Sequence, residues 1–249
     1  MSSRNPNSKT KIFPTEETME IYLDIETCPS QLSGVREQIA KGVSCPGNIT
    51  KAESIATWEA EKKPAAVEEA WRKTSFDGAL GHVAVIGLAF NGEEPLMIWS
   101  PEWVDREADM LREAFDAIHE RCSVNLGDRP LFIGHNIVEF DFRFLFQRAV
   151  MLGVKPTPFI PFSAKPWDDA KVFDTMARWG GVKNPVKLDK LVGAMGLQQK
   201  GSEIGEEIDG SLVWDFVKAG RIAEVAKYCG GDIERTRGVY RRMTFAEAA

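Results

Sequence analysis

The chain has 249 residues, 37 acidic against 31 basic side chains, a net charge of −6, and an apolar fraction of 43%. That composition excludes a disordered or fibrous chain, and the length suits one large α/β domain, or one with a sizeable insertion, whose core needs neither disulfides nor a structural metal. The acidic balance argues against a tight non-specific grip on long duplex DNA, but not against an enzyme that holds a few phosphates through carboxylate-bound metal ions, whose charge the formal count omits.

Residues 1–18 are polar and lack the apolar centre of a signal peptide, which reads as a short flexible leader and a cytoplasmic protein. No apolar run approaches the ~20 residues that span a bilayer, so no membrane partner is expected. In Glu20 to Glu26, Ile21, Leu23 and Ile25 alternate with Tyr22, Asp24 and Glu26, the period of a strand with one apolar face. Residues 31–75 carry apolar positions at helical spacing (Ile55, Trp58, Val67, Trp71) and form a helical insertion that either contacts substrate or a partner or covers the sheet, the second reading being slightly preferred. His82 to Phe90 is a nearly continuous β-branched run, a central strand; Asn91-Gly92 turns it into a hairpin with Pro95 to Trp99. Val104 to Arg121 is an amphipathic helix, Pro130 to Gly134 a buried strand, and Phe140 to Leu152 a helix closed by Gly153. Lys171 to Trp179 runs from strand into helix, and Leu188 to Leu197, Leu212 to Ala219 and Ile222 to Met243 are helices. The order predicts a three-layer α/β domain over residues 19–245.

Cys28, Cys45, Cys122 and Cys229 form no CxxC pair and no zinc-ligand spacing, so reduced thiols are expected. The chemistry lies in carboxylates. Asp24 and Glu26 project from the same strand face; on a buried strand, unpaired charges would be costly and a divalent cation is the natural compensation. Asp141 opens a helix, where an acidic side chain is also simply favourable. Tyr228 and Asp232 stand one helical turn apart, with Gly230-Gly231 between them lowering helix propensity by about 1 kcal/mol each and allowing a kink. Asp174 reads as a helix cap rather than a ligand, and Asp168-Asp169 as loop surface.

Taken in order, Asp24-x-Glu26, Asn136-x-x-x-Phe140-Asp141 and Tyr228-x-x-x-Asp232 resemble the three motifs of the tyrosine branch of the Asp-Glu-Asp-Asp exonuclease superfamily. LDIET (Leu23 to Thr27), GHNIVEFDFRFL (Gly134 to Leu145), KLDKLVGAMGL (Lys187 to Leu197) and VAKYCGGDIERTRGVY (Val225 to Tyr240) are most similar to the proofreading 3′→5′ exonuclease domain of family B DNA polymerases. The resemblance implies a ribonuclease-H-like (DnaQ-like) fold with a five-stranded mixed sheet, here without a polymerase domain. It implies a catalytic set of Asp24, Glu26, Asp141, Tyr228 and Asp232, the four carboxylates holding two divalent cations, Mg²⁺ or Mn²⁺, about 4 Å apart across the scissile phosphate.

With an ordinary pKa near ~10, Tyr228 is better suited to positioning the attacking water than to accepting its proton. Thr27, Asn136 and Phe140 are the implied contacts to the 3′ end, Phe140 equally suiting a core anchor. Arg143, Arg148, Lys165 and Lys187 are candidates for phosphate contact or plain solvated surface. The expected reaction is release of nucleoside 5′-monophosphates from the 3′ end of DNA, single-stranded by preference, either alone or beside a separate polymerase. Against it stand a 3′→5′ exoribonuclease of the ribonuclease D kind and a non-catalytic nucleic-acid-binding module.

Overall fold

A computed structural model describes residues 18–124, 129–181, 184–198, 204–205 and 208–246. The leader expected over residues 1–18 falls, save Thr18, outside the described residues. Five strands form one sheet in the order β3-β2-β1-β4-β5: β1 (Thr18–Cys28), β2 (His82–Phe90), β3 (Leu96–Trp99), β4 (Arg129–Gly134) and β5 (Val172–Asp174). β1 runs antiparallel to β2 and parallel to β4, β2 pairs antiparallel with β3, and β4 is parallel to β5. The sheet is therefore mixed, with β1 at its centre.

The alternation of β1 sorts the two faces. Ile21, Leu23 and Ile25 lie opposite Phe90, Leu88 and Ile86 of β2. They pack with Phe132, Phe142, Leu145, Leu111 and Phe115 in the main core, beneath α4 (Trp103–Val124) and α5 (Asp141–Leu152). Tyr22, Ala89, Leu131 and Ile133 instead meet Ile233 and Tyr240 of the long helix α9 (Ile222–Met243). Asp24 and Glu26 share this second face, so the sequence period alone aims them at α9. Gly87 sits opposite Asp24, and a Cβ there would come within 2.6 Å of Ile233 Cδ1 and 3.0 Å of Cys229 Sγ. Its missing side chain lets α9 lie close over the carboxylate strand. α9 continues as helix through Gly230-Gly231, where burial of Val225, Ala226, Cys229, Ile233 and Val239 offsets the weak local propensity.

Between β1 and β2 the chain forms α1 (Val35–Gly42), α2 (Ala52–Glu61), α3 (Lys63–Arg72) and a 3₁₀ turn, Lys73–Phe76. Neither α1 nor α2 contributes a buried residue, so these helices do not blanket the sheet as expected. Val67 and Trp71 of α3 are buried, and Arg72 reaches Asp215 with both terminal nitrogens. Trp71 donates from Nε1 to Ser30 O at 2.9 Å and meets Trp214 edge-on at 5.2 Å, while Arg36 stacks on its ring at 4.8 Å. α6 (Thr175–Gly180), α7 (Leu188–Ala194) and α8 (Val213–Lys218) complete the described helices. None of them is long and apolar enough to cross a membrane.

Candidate active site

Asp24, Glu26, Asp141, Tyr228 and Asp232 arrive from three elements at one place. Asp24 and Glu26 come from β1 and Asp141 from the first turn of α5; Tyr228 and Asp232 come from one face of α9. Asp141 Oδ1 accepts from Ile25 N at 3.1 Å, which stitches the start of α5 to the strand between its two acidic residues. Asp141 is 3% exposed. Burial, and then the negative charge of Asp24, push its carboxyl well above the usual range. Burial drives the Tyr228 phenol far upward, helped by the charges of Glu26, Asp232 and Asp24 and by its hydrogen bond to Asp232. Asp24 thus acts on both Asp141 and Tyr228.

Oxygens of Asp24 and Glu26 and the sulfur of Cys229 all lie within 4.8 Å of one another. Two carboxylates this close, Glu26 buried and Asp24 half-buried, repel each other unless a cation or a proton enters. The donor set, mostly hard oxygens, fits Mg²⁺ or Mn²⁺ better than a thiophilic ion. Cys229 is held as a donor: its thiol reaches Asp24 Oδ2 at 3.3 Å and Asp24 O at 3.6 Å. Burial, then Asp24 and Glu26, raise its pKa well above the ordinary thiol value. Asp232 already has a protein cation, since Arg235 Nε donates to its Oδ1 at 2.9 Å. Both side chains of that pair are buried. Cys229 and Arg235 are members of the site that motif reading passes over. The signal for them was position on α9, Cys229 beside Tyr228 and Arg235 one turn after Asp232.

The implied substrate contacts fall around this centre. Thr27 follows Glu26 across a β-bulge, and its hydroxyl donates to Ser75 O at 2.8 Å. Asn136 has φ 66°, a left-handed conformation that Asn tolerates better than most side chains, and its N–H donates to Asp174 Oδ1 at 3.0 Å. Phe140 is half-buried against Phe144 (5.8 Å) and Phe76 (6.3 Å). Asp174 caps α6, accepting from Met176 N and Ala177 N at 3.1 and 3.2 Å. Arg148 is not available to a phosphate: it is buried, with Nε and Nη2 on Glu107 and Nη1 on Gly78 O.

Residues 79–249 match the family described as a predicted 3′-5′ exonuclease related to the exonuclease domain of PolB. The chain belongs to that family. The matched stretch holds Asn136, Phe140, Asp141, Tyr228 and Asp232; β1, with Asp24, Glu26 and Thr27, precedes it. Among solved structures, the family B DNA polymerase from the hyperthermophilic archaeon Pyrobaculum calidifontis superposes with a TM-score of 0.52 at 15% identity. The overlap takes in 91% of this chain and 24% of that polymerase, so the chain spans about a quarter of the polymerase's length. At that identity the likeness speaks to the fold, which is ribonuclease-H-like. No curated protein matches the chain in sequence.

Proposed function

We propose that this family member is a metal-dependent 3′→5′ exonuclease that hydrolyses the terminal phosphodiester of single-stranded DNA and releases nucleoside 5′-monophosphates. The observation that carries the reading is that Glu26, Asp232 and Asp24 crowd Tyr228 while Asp141 stands beside Asp24, in a largely buried site. A fold gains nothing from that much buried negative charge unless a cation is to be held there. Two divalent ions bound by these carboxylates would supply an activated water and offset charge on the scissile phosphate.

The chain's own groups do the arranging. The Ile25 N–H fixes the Asp141 carboxylate, the Cys229 thiol fixes Asp24, and Arg235 fixes Asp232. Tyr228 keeps its proton, so its hydroxyl, which here bonds to Asp232, would turn to donate to an attacking oxygen rather than act as a base. Tyr228→Phe is therefore expected to lower the rate by about 10²-fold, the scale of losing one preorganised donor, with the oligonucleotide KM little changed. A rate equal to wild type would remove Tyr228 from the mechanism. Arg235→Leu strips the fixed positive charge from Asp232. It is expected to tighten Mn²⁺ binding to the free protein at least about tenfold, read by electron paramagnetic resonance; weaker binding would mean that the pair only holds the helix in shape.

The deciding experiment is digestion of a 5′-labelled single-stranded DNA oligonucleotide with Mg²⁺ or Mn²⁺, with EDTA and Asp24→Ala controls and a matched RNA. A ladder shortening from the 3′ end, lost in both controls, is the expected result. Degradation of RNA alone would move the protein to exoribonuclease chemistry. Inactivity on both would leave a binding module.

A further inference from the structure

The 3₁₀ turn Lys73–Phe76 is tied down on every side, yet its tip presents a bare aromatic ring. Thr74 is buried and its hydroxyl bridges Trp71 O at 2.6 Å and Ser30 N at 2.8 Å. Ser75 O accepts from Thr27. Immediately after the turn, Gly78 N donates to Gln147 Oε1 at 3.1 Å, and Gly78 O accepts from Arg148 Nη1 at 3.2 Å. The chain comes so close that a Cβ on Gly81 would stand 2.5 Å from Thr74 O. Between these anchors Phe76 is 71% exposed. Loop tips that merely connect elements are polar and mobile; this one is fixed and apolar.

Its location supplies the reason. Thr27 is the residue after Glu26, and Phe140, whose ring meets Phe76 at 6.3 Å and 61°, is the residue before Asp141. Phe76 and Phe140 thus make a tilted aromatic edge beside the two motif ends that deliver carboxylates. We propose that Phe76, contributed by the segment between β1 and β2, is a substrate-binding residue that stacks on a base within the last two nucleotides of the 3′ end. The inference rests on the exonuclease reading for the identity of the ligand. Stacking on an aromatic tolerates any base, since every base has a π-face, which suits an enzyme that must accept each nucleotide in turn. The role of the inserted segment is then to hold this ring rather than to cover the sheet: Trp71, locked on Ser30 O and Trp214, fixes the helix that leads directly into the turn.

Single-stranded oligonucleotides bearing 2-aminopurine at the 3′-terminal, penultimate or 5′-terminal position, with Ca²⁺ in place of the catalytic ion, report stacking and affinity together. Wild type is expected to quench the probe near the 3′ end and not at the 5′ end. Phe76→Ala is expected to lose that quench and bind about tenfold more weakly, with Phe76→Trp restoring both. The melting temperature of Phe76→Ala should match wild type because the ring is exposed. Equal quench and affinity in wild type and Phe76→Ala would overturn the proposal, as would failure of the wild type to bind a single strand. Wild-type binding that depends on Phe76, with no cleavage under Mg²⁺ or Mn²⁺, would retain Phe76 as a base contact while removing the exonuclease reading.

Discussion

Asp141→Asn is expected to lose metal-dependent hydrolysis by at least about 10³-fold and, in EDTA at pH 8, to melt higher than wild type. The two effects have one cause. Asp141 is buried, and burial together with the Asp24 charge holds its carboxyl well above the usual range. In the ion-free protein its ionised form is therefore a source of instability. Because the folded value lies above the unfolded one, the native state binds more protons between them. Stability from this group is full below the unfolded value, near ~3.9, and is lost as pH rises through the folded value. Asparagine removes that charge, and its side-chain oxygen still accepts from Ile25 N, the bond now made at 3.1 Å. Each 1 kcal/mol gained moves Tm by about 2–4 °C in a domain of this size. Mg²⁺ or Mn²⁺ should raise the wild-type Tm more at pH 8 than at pH 5 and leave the Asn variant nearly unmoved. Asp24→Ala should lose activity to the same extent. A lower Tm for Asp141→Asn in EDTA would mean that the carboxylate is not strained by its neighbours, and the case for a cation site would fail with it.

The fold was legible wherever hydrophobic period decided the structure. β1 alternates strictly, β2 is a continuous apolar run ending at Asn91-Gly92, and α4 and α9 repeat at 3.6 residues, so their placement follows from burial alone. The spacings also put Asp24 with Glu26 and Tyr228 with Asp232 on single faces. What remained hidden depends on contacts distant in sequence. Arg148, seven residues after Asp141 on α5, reads as a surface cation until Glu107 of α4 is seen against it. Cys229 reads as a small hydrophobe until the register sets Asp24 opposite Gly87 and brings α9 down onto both. The segment between β1 and β2 looks like a helical cover because Trp58 and Trp71 suggest core; α1 and α2 contribute no fully buried residue, and Trp71 serves as an anchor for the turn that carries Phe76. Propensity and period are local quantities, whereas pairing of buried charges and exposure of a ring are tertiary ones.

Arg148→Met is expected to destabilise the protein by about 3–5 kcal/mol, the usual result of stranding one partner of a buried ion pair, and so to lower Tm by roughly 10 °C. Glu107 and Arg148 are 1% and 3% exposed. The guanidinium gives Nε to Glu107 Oε1 at 2.7 Å and Nη2 to Oε2 at 2.6 Å. Val83 N donates to the same carboxylate at 2.8 Å, and His82 Nδ1 lies 2.8 Å from it. Burial pushes the Glu107 carboxyl up, but the bonds to His82 and Arg148, the Arg148 charge and the Val83 N–H outweigh it, and the net shift is downward. A depressed folded value contributes stability that is present above the unfolded one, near ~4.3, and lost as pH falls through the folded value. Without Arg148 that contribution goes, and a buried carboxylate is left with too few donors. Pairing Arg148→Met with Glu107→Leu should cost far less than the sum of the single changes, since an apolar pair of similar volume needs no partner; additive losses would show that the two side chains act separately. The same substitution reaches the catalytic end of α5. Arg148 also holds Gly78 O, so it fixes the helix that begins at Asp141 and the segment just beyond Phe76. Below its lowered Tm, Arg148→Met should therefore show a higher oligonucleotide KM as well as a slower rate, a pair of changes that loss of folded protein alone would not produce.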